Sequence, residues 1–199
     1  MTLEVFSSAW PVSRFDEIDS TNEEARRRAV SGDMGPSWLV TGAQTAGRGR
    51  LGRQWSSPRG NLYTTALLPF PGSLQTAALA CFSAGLAVID ASRTLGVEAG
   101  QLKLKWPNDV LAGGAKLAGI LLESSMLPNG QMAVAIGIGV NVVSHPADTP
   151  YPATSLNGLG AACDAEGLFL ALSDAWVDLA RLWNDGQGLD PIRRRWLTR

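Results

Sequence analysis

The sequence predicts an α+β fold, in which a mixed or antiparallel central sheet carries helices packed mainly on one side. Two observations lead to this prediction. Strand-like segments fill most of the first 143 residues with few helices between them, and long helical segments follow residue 163. The chain of 199 residues, 45% of them hydrophobic, is also long enough to form one substantial core.

The N-terminal half combines three strands with two helices. Alternating polar and apolar residues predict a strand at Ser13–Ile18. Ser20 followed three residues later by Glu23 is a capping-box pattern, so a helix should begin there and end near Ser31. The remaining predicted elements are strands at Trp38–Ala43 and Asn61–Leu68 and a long apolar helix at Ser73–Leu95.

The C-terminal half predicts a group of strands and then two helices. Gly113-Gly114 is typical of a hairpin turn, here between strands at Val110–Ala112 and Lys116–Glu123. The other predicted elements are a strand at Leu102–Trp106 with its lysines on one face, a strand at Gln131–Val143, and helices at Asp164–Asp185 and Pro191–Arg199.

The loop between Gln44 and Gly60 is the most unusual segment. It has no periodicity and no acidic residue, although the net charge of the protein is −1. Glycines allow backbone N–H groups to approach a ligand closely, and arginine offers a fork of donors for phosphate or carboxylate. Because structureless loops of this length are usually functional, we expect an anion-binding site here. Its arginines are Arg48, Arg50, Arg53 and Arg59.

The letters of Gly47–Gly52 match a dinucleotide-binding GxGxxG pattern, but no helix start follows the last glycine. That fingerprint requires a helix there, so the match is coincidental. No phosphate loop of the GxxxxGK[ST] type occurs either.

Two further groups of residues are candidates for chemistry. All three lysines, Lys103, Lys105 and Lys116, fall within fourteen residues, which indicates either chance clustering or a compact positive charge at Lys105 or Lys116. Asn108 and Asp109 follow a predicted strand, where they form an ordinary Asx turn, order a neighbouring cation, or hold Mg²⁺ through oxygen.

Glycines also interrupt the predicted strand that contains Gly137 and Gly139. Glycine inside a strand marks either tight packing or a close approach by a ligand or another backbone.

Composition argues against several classes of protein. A pI of 5.8 is unlike that of a nucleic-acid-binding domain. Cys81, Cys163 and the single His145 provide neither a disulfide framework nor a typical zinc site. The N-terminus has no signal-peptide pattern, and prolines interrupt the apolar run at residues 66–89, so we expect a cytoplasmic protein that does not span a membrane.

Six strings, matching in order and spacing over roughly Val12–Arg195, resemble the catalytic domain of biotin–protein ligases, the biotin–[acetyl-CoA-carboxylase] ligase family. The strings are DSTNEEA from Asp19, QTAGRGRLGRQW from Gln44, NLYTT from Asn61, KWPNDV from Lys105, KLAGILLE from Lys116 and IGIGVNV from Ile136.

The resemblance implies a two-step reaction that uses ATP and Mg²⁺. Biotin and ATP first form biotinyl-5′-AMP and pyrophosphate. A lysine of a biotin carboxyl carrier protein, from acetyl-CoA carboxylase or a related carboxylase, then takes the biotin and releases AMP. No covalent enzyme nucleophile is needed, which agrees with a chain that has no Cys/His or Ser/His arrangement.

The resemblance also implies roles for individual residues. Lys116 is the implied main electrostatic catalyst, with Arg48 as a second catalytic residue and Asp109 as a third, which also serves as a metal ligand. The implied biotin-binding residues are Ser20, Thr21, Asn22, Gln44, Gly47, Arg48, Gly49, Arg50 and Lys116. The implied nucleotide-binding residues are Arg50, Arg53, Trp55, Lys105, Asn108 and Asn141, with Trp55 stacking on adenine and Asn141 hydrogen-bonded to it.

The expected organisation is a single catalytic domain at residues 1–199. There is no room before Asp19 for a DNA-binding domain, and the small C-terminal β-barrel of relatives is expected to be absent or truncated. Leu51 stands where many members carry another arginine, which leaves less charge in the loop. The protein is expected to be a monomer or homodimer that binds neither nucleic acid nor membrane.

A lipoate or octanoate ligase or transferase of the same fold is the nearest alternative. The GRGRxG loop and the KWPND string favour biotin, and the arginine–triple-glycine string expected of a lipoate ligase does not occur. A non-catalytic biotin-binding protein or repressor, and an arginine-loop RNA binder, are less favoured. We also expect the arginine loop to be mobile when empty and to become ordered on biotin or the adenylate.

Overall fold

The computed structural model describes residues 10–70, 72–127, 129–183 and 189–197, and its centre is a seven-stranded sheet within those residues. The strands are β1 (Val12–Phe15), β2 (Ser37–Thr41), β3 (Leu62–Phe70), β4 (Leu102–Lys105), β5 (Asp109–Ala112), β6 (Ala115–Met126) and β7 (Met132–Val140). Their order across the sheet is β1-β2-β3-β7-β6-β5-β4. Only the β1–β2 pair is parallel, so the predicted mixed sheet is confirmed.

The helices are distributed unequally over the two faces of the sheet. They are α1 (Thr21–Val30), α2 (Leu74–Ala78), α3 (Ala80–Thr94), α4 (Ala165–Trp183) and α5 (Leu189–Leu197). Helices α3, α4 and α5 contact one another, and α3 and α4 cover one face, whereas α1 packs against β2, β3, β6 and β7 on the other. The prediction that helices pack mainly on one side is therefore confirmed.

The side chains of the central strands explain this difference between the faces. Alternate residues of a strand point to opposite faces, so one face of β7 carries Val134, Ile136 and Ile138, which join the main core under α3 and α4. The opposite face is lined by smaller residues, among them Ala133 and Ala135, which pack with Ala25, Ala29, Leu39 and Leu67. Small residues allow α1 to lie close to the sheet and leave space beyond its N-terminus.

The predicted elements are present, with several differences at their ends. The apolar helix predicted at Ser73–Leu95 is divided into α2 and α3, which meet at Leu79. Strand β6 continues three residues past the predicted end at Glu123, and β7 ends at Val140 rather than Val143. The predicted helix ends at Asp185 and Arg199 lie outside the described residues.

One helical stretch in the described part of the chain, Leu74–Thr94, has the length and apolar composition of a membrane span. More than half of its most apolar 18-residue window is buried inside the protein, and α3 packs against both the sheet and α4. This is the position of a core helix.

Candidate active site

A cavity of about 330 Å³ opens on the face of the sheet that carries α1. It lies between the start of α1, the arginine loop and the β5–β6 hairpin. Every residue that the resemblance marks lines this cavity except Gly47 and Asn141. The predicted residues that line it are Ser20, Thr21, Asn22, Gln44, Arg48, Gly49, Arg50, Arg53, Trp55, Lys105, Asn108, Asp109 and Lys116.

The floor of the cavity is made by glycines in paired strands. Gly139 of β7 pairs with Gly119 of β6 and with Tyr63 of β3, which forms one row across the sheet. The Trp55 ring lies on this row, since a Cβ at Gly139 would come within 2.6 Å of Trp55 Nε1 and one at Gly119 within 2.9 Å of the same ring. In the structure, the Trp55 side chain makes a close approach to these strand glycines.

The next row of the floor accommodates Asn22 in the same way. A Cβ at Gly137 would collide with the Asn22 amide. Asn22 Oδ1 accepts a hydrogen bond of 2.7 Å from Thr65 Oγ1, and Asn22 Nδ2 donates to Leu121 O at 3.2 Å and to Glu123 Oε2 at 2.8 Å. Asn22 is therefore hydrogen-bonded to two strands, β3 and β6, and packs against Gly137 of a third, β7.

A chain of side-chain hydrogen bonds forms the wall next to Asn22. The backbone N–H of Thr21 donates to Gln44 Oε1 at 2.9 Å, and Gln44 Nε2 donates to Ser57 Oγ at 3.0 Å. Thr65 Oγ1 lies 2.8 Å from Thr21 Oγ1. Since Thr21, Ser57 and Thr65 are buried, these groups give the cavity a rigid polar end.

The helix start at this wall agrees only in part with a capping box. Ser20 caps α1, because its side chain accepts from Glu23 N at 3.4 Å. The reciprocal bond, in which Ser20 N would donate to the Glu23 carboxylate, is replaced, since Ser20 N donates to Asp19 Oδ1 at 2.7 Å. The Glu23 carboxylate pairs with Arg26 and Arg48 instead. Arg26 and then Arg48 lower the pKa of this carboxyl group.

The arginine loop folds into a short hairpin, so it is not the structureless loop that its composition predicts; its mobility without ligand stays a prediction. Gly49 N donates to Arg53 O at 2.7 Å, and Trp55 N donates to Gly47 O at 2.9 Å. A Cβ at Gly47 would lie 2.5 Å from Trp55 O, so Gly47 shapes the hairpin from behind the cavity. Leu51 forms the tip, with φ of 58° and 87% of its surface exposed, and it touches the cavity rim.

The arginines of the loop are held by partners on two sides of the cavity. Arg48 Nη2 lies 3.1 Å from Glu23 Oε2 and 3.6 Å from Glu123 Oε1. Arg50 Nη1 donates to Asn108 Oδ1 at 3.3 Å, which joins the loop to the β4–β5 turn. The arginine loop and the Lys105–Lys116 region therefore meet over the sheet.

Lys116 is the most enclosed cation of the site. Its Nζ lies 2.7 Å from Asp109 Oδ1, with only 14% and 18% of the two side chains exposed. It also lies 5.3 Å from the ring centroid of Trp55 and 5.3 Å from that of Tyr151. The pairing of β5 with β6 explains the ion pair, because Asp109 lies opposite Gly119, three residues along β6 from Lys116.

Asn141 supports this lysine and does not reach the cavity. Its Nδ2 donates to Thr154 O at 2.9 Å and to Lys116 O at 3.4 Å. A contact with adenine stays a prediction for Asn141, and stacking on adenine stays one for Trp55. Tyr151 is a cavity residue that the motifs do not mark; a tyrosine between prolines in a loop carries no sequence signal of a site.

The model of the biotin/lipoate A/B protein ligase family matches residues 15–141, which is more than half of the chain. The chain belongs to this family. It is 44% identical over 188 residues to a biotin–[acetyl-CoA-carboxylase] ligase of Paracoccus denitrificans, covering 91% of this chain and 77% of that protein. A ligase of the same name from Mycobacterium tuberculosis is 40% identical over 150 residues, which are 73% of this chain and 54% of that protein.

Solved structures of the family have the same fold. The biotin protein ligase of Leishmania major in complex with biotin matches with a TM-score of 0.78 and 27% identity, over 94% of this chain and 80% of that one. The biotin protein ligase of Aquifex aeolicus in complex with biotin and ATP matches with a TM-score of 0.75 and 30% identity, over 94% and 76%. The fold is therefore that of the biotin protein ligase catalytic domain.

Proposed function

We propose that this protein is an ATP-dependent biotin–protein ligase, which forms biotinyl-5′-AMP and passes biotin to a lysine of a carboxyl carrier protein. The observation that carries the proposal is the enclosed Lys116, which faces the arginine loop across a cavity with a polar, hydrogen-bonded end. The relatives named biotin–[acetyl-CoA-carboxylase] ligase, and the related structures with biotin and ATP, support the same reaction.

The first step brings two anions together, the biotin carboxylate and the triphosphate of ATP. Their repulsion opposes the attack of a carboxylate oxygen on the α-phosphorus, and positive charge fixed in advance lowers that barrier. The cavity provides this charge in Arg48, Arg50, Arg53, Lys105 and Lys116. Arginine can bind phosphate or carboxylate through two parallel hydrogen bonds, whereas Lys116 acts as a point charge.

Biotin fits best with its ring at the wall formed by Ser20, Thr21, Asn22 and Gln44. Amide and hydroxyl groups there can both donate and accept, as the ureido group requires. The biotin carboxylate then points toward Lys116. To bind a substrate oxygen, the Lys116 ammonium group must break its ion pair with Asp109. The nucleotide occupies the part of the cavity between Trp55 and the Arg50–Asn108 contact.

Mg²⁺ fits this site as a companion of the triphosphate. The described residues contain no group of three or more His, Cys, Asp or Glu side chains able to hold a metal. Within the described part of the chain, Asp109 is the one carboxylate that lines the cavity. Mg²⁺ is commonly held by one or two carboxylates plus substrate phosphates. Asp109 and the triphosphate would therefore both be ligands of the ion. When bound, the ion would neutralise phosphate charge.

In the second step the carrier lysine attacks the acyl carbon of the adenylate. The C–N bond forms, the acyl–phosphate C–O bond breaks, and AMP leaves with the electron pair. The attacking amine must lose a proton. Once Lys116 has turned to the phosphate, Asp109 becomes the nearest carboxylate that can accept it.

The test is intact mass spectrometry of an apo carrier domain incubated with the protein and MgATP, with biotin and lipoate offered together. We expect the mass increase of one biotinyl group, which is biotin minus one water, and no lipoyl adduct. A lipoyl adduct would mean that the protein is a lipoate ligase of the same fold. Absence of both adducts, with no pyrophosphate released, would refute a ligase function.

The carrier is proposed to belong to acetyl-CoA carboxylase or a related carboxylase. A cytoplasmic location, a monomeric or homodimeric state, a single catalytic domain, and the absence of nucleic-acid and membrane binding stay predictions.

A further inference from the structure

Tyr151 contacts the same ammonium group as Trp55. Its ring centroid lies 5.3 Å from Lys116 Nζ, within the roughly 6 Å over which a cation is attracted to an aromatic face. Trp55 lies at an equal distance, and Asp109 completes the surroundings of the ammonium group at 2.7 Å.

The backbone fixes Tyr151 relative to Lys116. Lys116 N donates to Pro152 O at 2.8 Å, and Thr154 N donates to Lys116 O at 2.9 Å. These bonds make a parallel bridge between Lys116 and Ala153. Tyr151 precedes the first bonded residue, so its backbone cannot shift far without breaking the contact with the strand that carries the lysine.

We propose that Tyr151 is a positioning residue of the ligase reaction: with Trp55 it forms a two-sided aromatic cage that holds the Lys116 ammonium group over the cavity. The inference rests on the proposed function. A ring face attracts the charge without fixing it to one acceptor atom, unlike Asp109. The cage therefore keeps the ammonium group in place while that group breaks its ion pair with Asp109 and binds a substrate oxygen.

The cage has a direct spectroscopic signature. The protein has only three lysines, so selective ¹³C-lysine labelling gives three side-chain signals at the Cε position. Ring currents should displace the Lys116 signal from those of the exposed Lys103 and Lys105. We expect Tyr151→Leu to move the Lys116 signal toward the other two, and Tyr151→Phe to restore its position. Unchanged signals of Lys103 and Lys105 show that the variants are folded.

Kinetics of the first step test the functional part. In single-turnover pyrophosphate release, Tyr151→Leu should lower the rate constant about 3- to 30-fold with the KM values for ATP and biotin unchanged, and Tyr151→Phe should restore it. A Lys116 signal that does not move in Tyr151→Leu overturns the cage. A higher KM for ATP at an unchanged rate constant overturns the positioning role, because Tyr151 then contacts the nucleotide.

If the proposed ligase function is wrong, the experiments give a different result from failure of the positioning role. The parent protein would release no pyrophosphate with biotin and ATP, and the positioning role would fall with it. The Lys116 signal would still decide whether the cage exists.

Discussion

The Trp55 ring occupies the space that a side chain at Gly139 would need, since a Cβ there would lie 2.6 Å from Trp55 Nε1. Gly139 is thus part of the site although it presents no functional group. It sets the depth at which Trp55 lies, and through Trp55 the position of Lys116.

Gly139→Ala should displace Trp55 from the cavity floor. Overpacking of this kind typically lowers the free energy of unfolding by about 1–3 kcal/mol. We expect the displaced Trp55 ring to show itself chiefly as a raised KM for ATP. The matched control is Gly100→Ala, where a Cβ meets nothing within 4 Å. Steady-state pyrophosphate release by both variants is the measurement. Equal KM values for ATP in Gly139→Ala and the parent would contradict the assigned role of Trp55.

Lys116→Met should lower pyrophosphate release by at least about 100-fold, because it removes charge at the reacting centre while retaining the aliphatic stem. It also leaves the mostly buried Asp109 carboxylate without its partner. We expect a loss of about 1–3 kcal/mol in the free energy of unfolding, recovered in part by adding Asp109→Asn. Urea denaturation of the two single variants and the double variant measures this coupling. If the stability losses of the two single variants simply add in the double variant, the Lys116–Asp109 coupling is refuted. Near-normal pyrophosphate release by Lys116→Met would contradict the catalytic role of Lys116.

The arginine loop should become less accessible when ligands bind. Arg48 is held by Glu23 and Glu123 in the structure, and these contacts must be exchanged for anionic ligand groups. We expect biotin with ATP to slow tryptic cleavage after Arg48, Arg50 and Arg53, as followed by mass spectrometry. Cleavage after Arg59, which is paired with Asp16, is the internal control. Equal protection of all four sites would indicate general stabilisation instead.

Asp19 gives the stability a defined dependence on pH. Hydrogen bonds from Arg27 lower the pKa of its carboxyl group from 3.8 to about 2. A carboxyl with a lowered folded-state pKa stabilises the protein fully above its unfolded pKa, near 3.9, and this contribution is lost as pH falls toward 2.

Asp19→Asn should therefore lower the urea midpoint at pH 7 and have little effect at pH 2. The side chain is 42% exposed, so we expect less than about 1 kcal/mol. Asp33→Asn, at a carboxylate without an arginine partner in the described ranges, is the control. If Asp19→Asn lowers the urea midpoint by the same amount at both pH values, the Asp19–Arg27 charge interaction is not the source of the lost stability.

Sequence patterns predicted most of the fold because its strands and helices follow local rules. The glycine pair at Gly113-Gly114 adopts the positive φ values of a tight hairpin, and Ser20 caps α1 as its type indicates. The division between α2 and α3 was not predictable, since Leu79 is neither a glycine nor a proline.

The candidate site was predictable only where a motif marks it. Lys116 and Arg48 stand in strings that resemble the family, and both line the cavity. The hairpin of the arginine loop depends on backbone bonds between residues such as Gly49 and Arg53, which composition does not reveal. Tyr151 reaches Lys116 through a long-range pairing of its loop with β6, which no local pattern encodes.

The most direct test is a single-turnover reaction with the protein in excess over ATP, Mg²⁺ present and no carrier. We expect biotin to yield biotinyl-5′-AMP and one equivalent of pyrophosphate for each ATP consumed, and lipoate to yield neither product. Conversion of ATP with lipoate but not biotin, or no adenylate with either acid, would contradict the proposal that this cavity activates biotin.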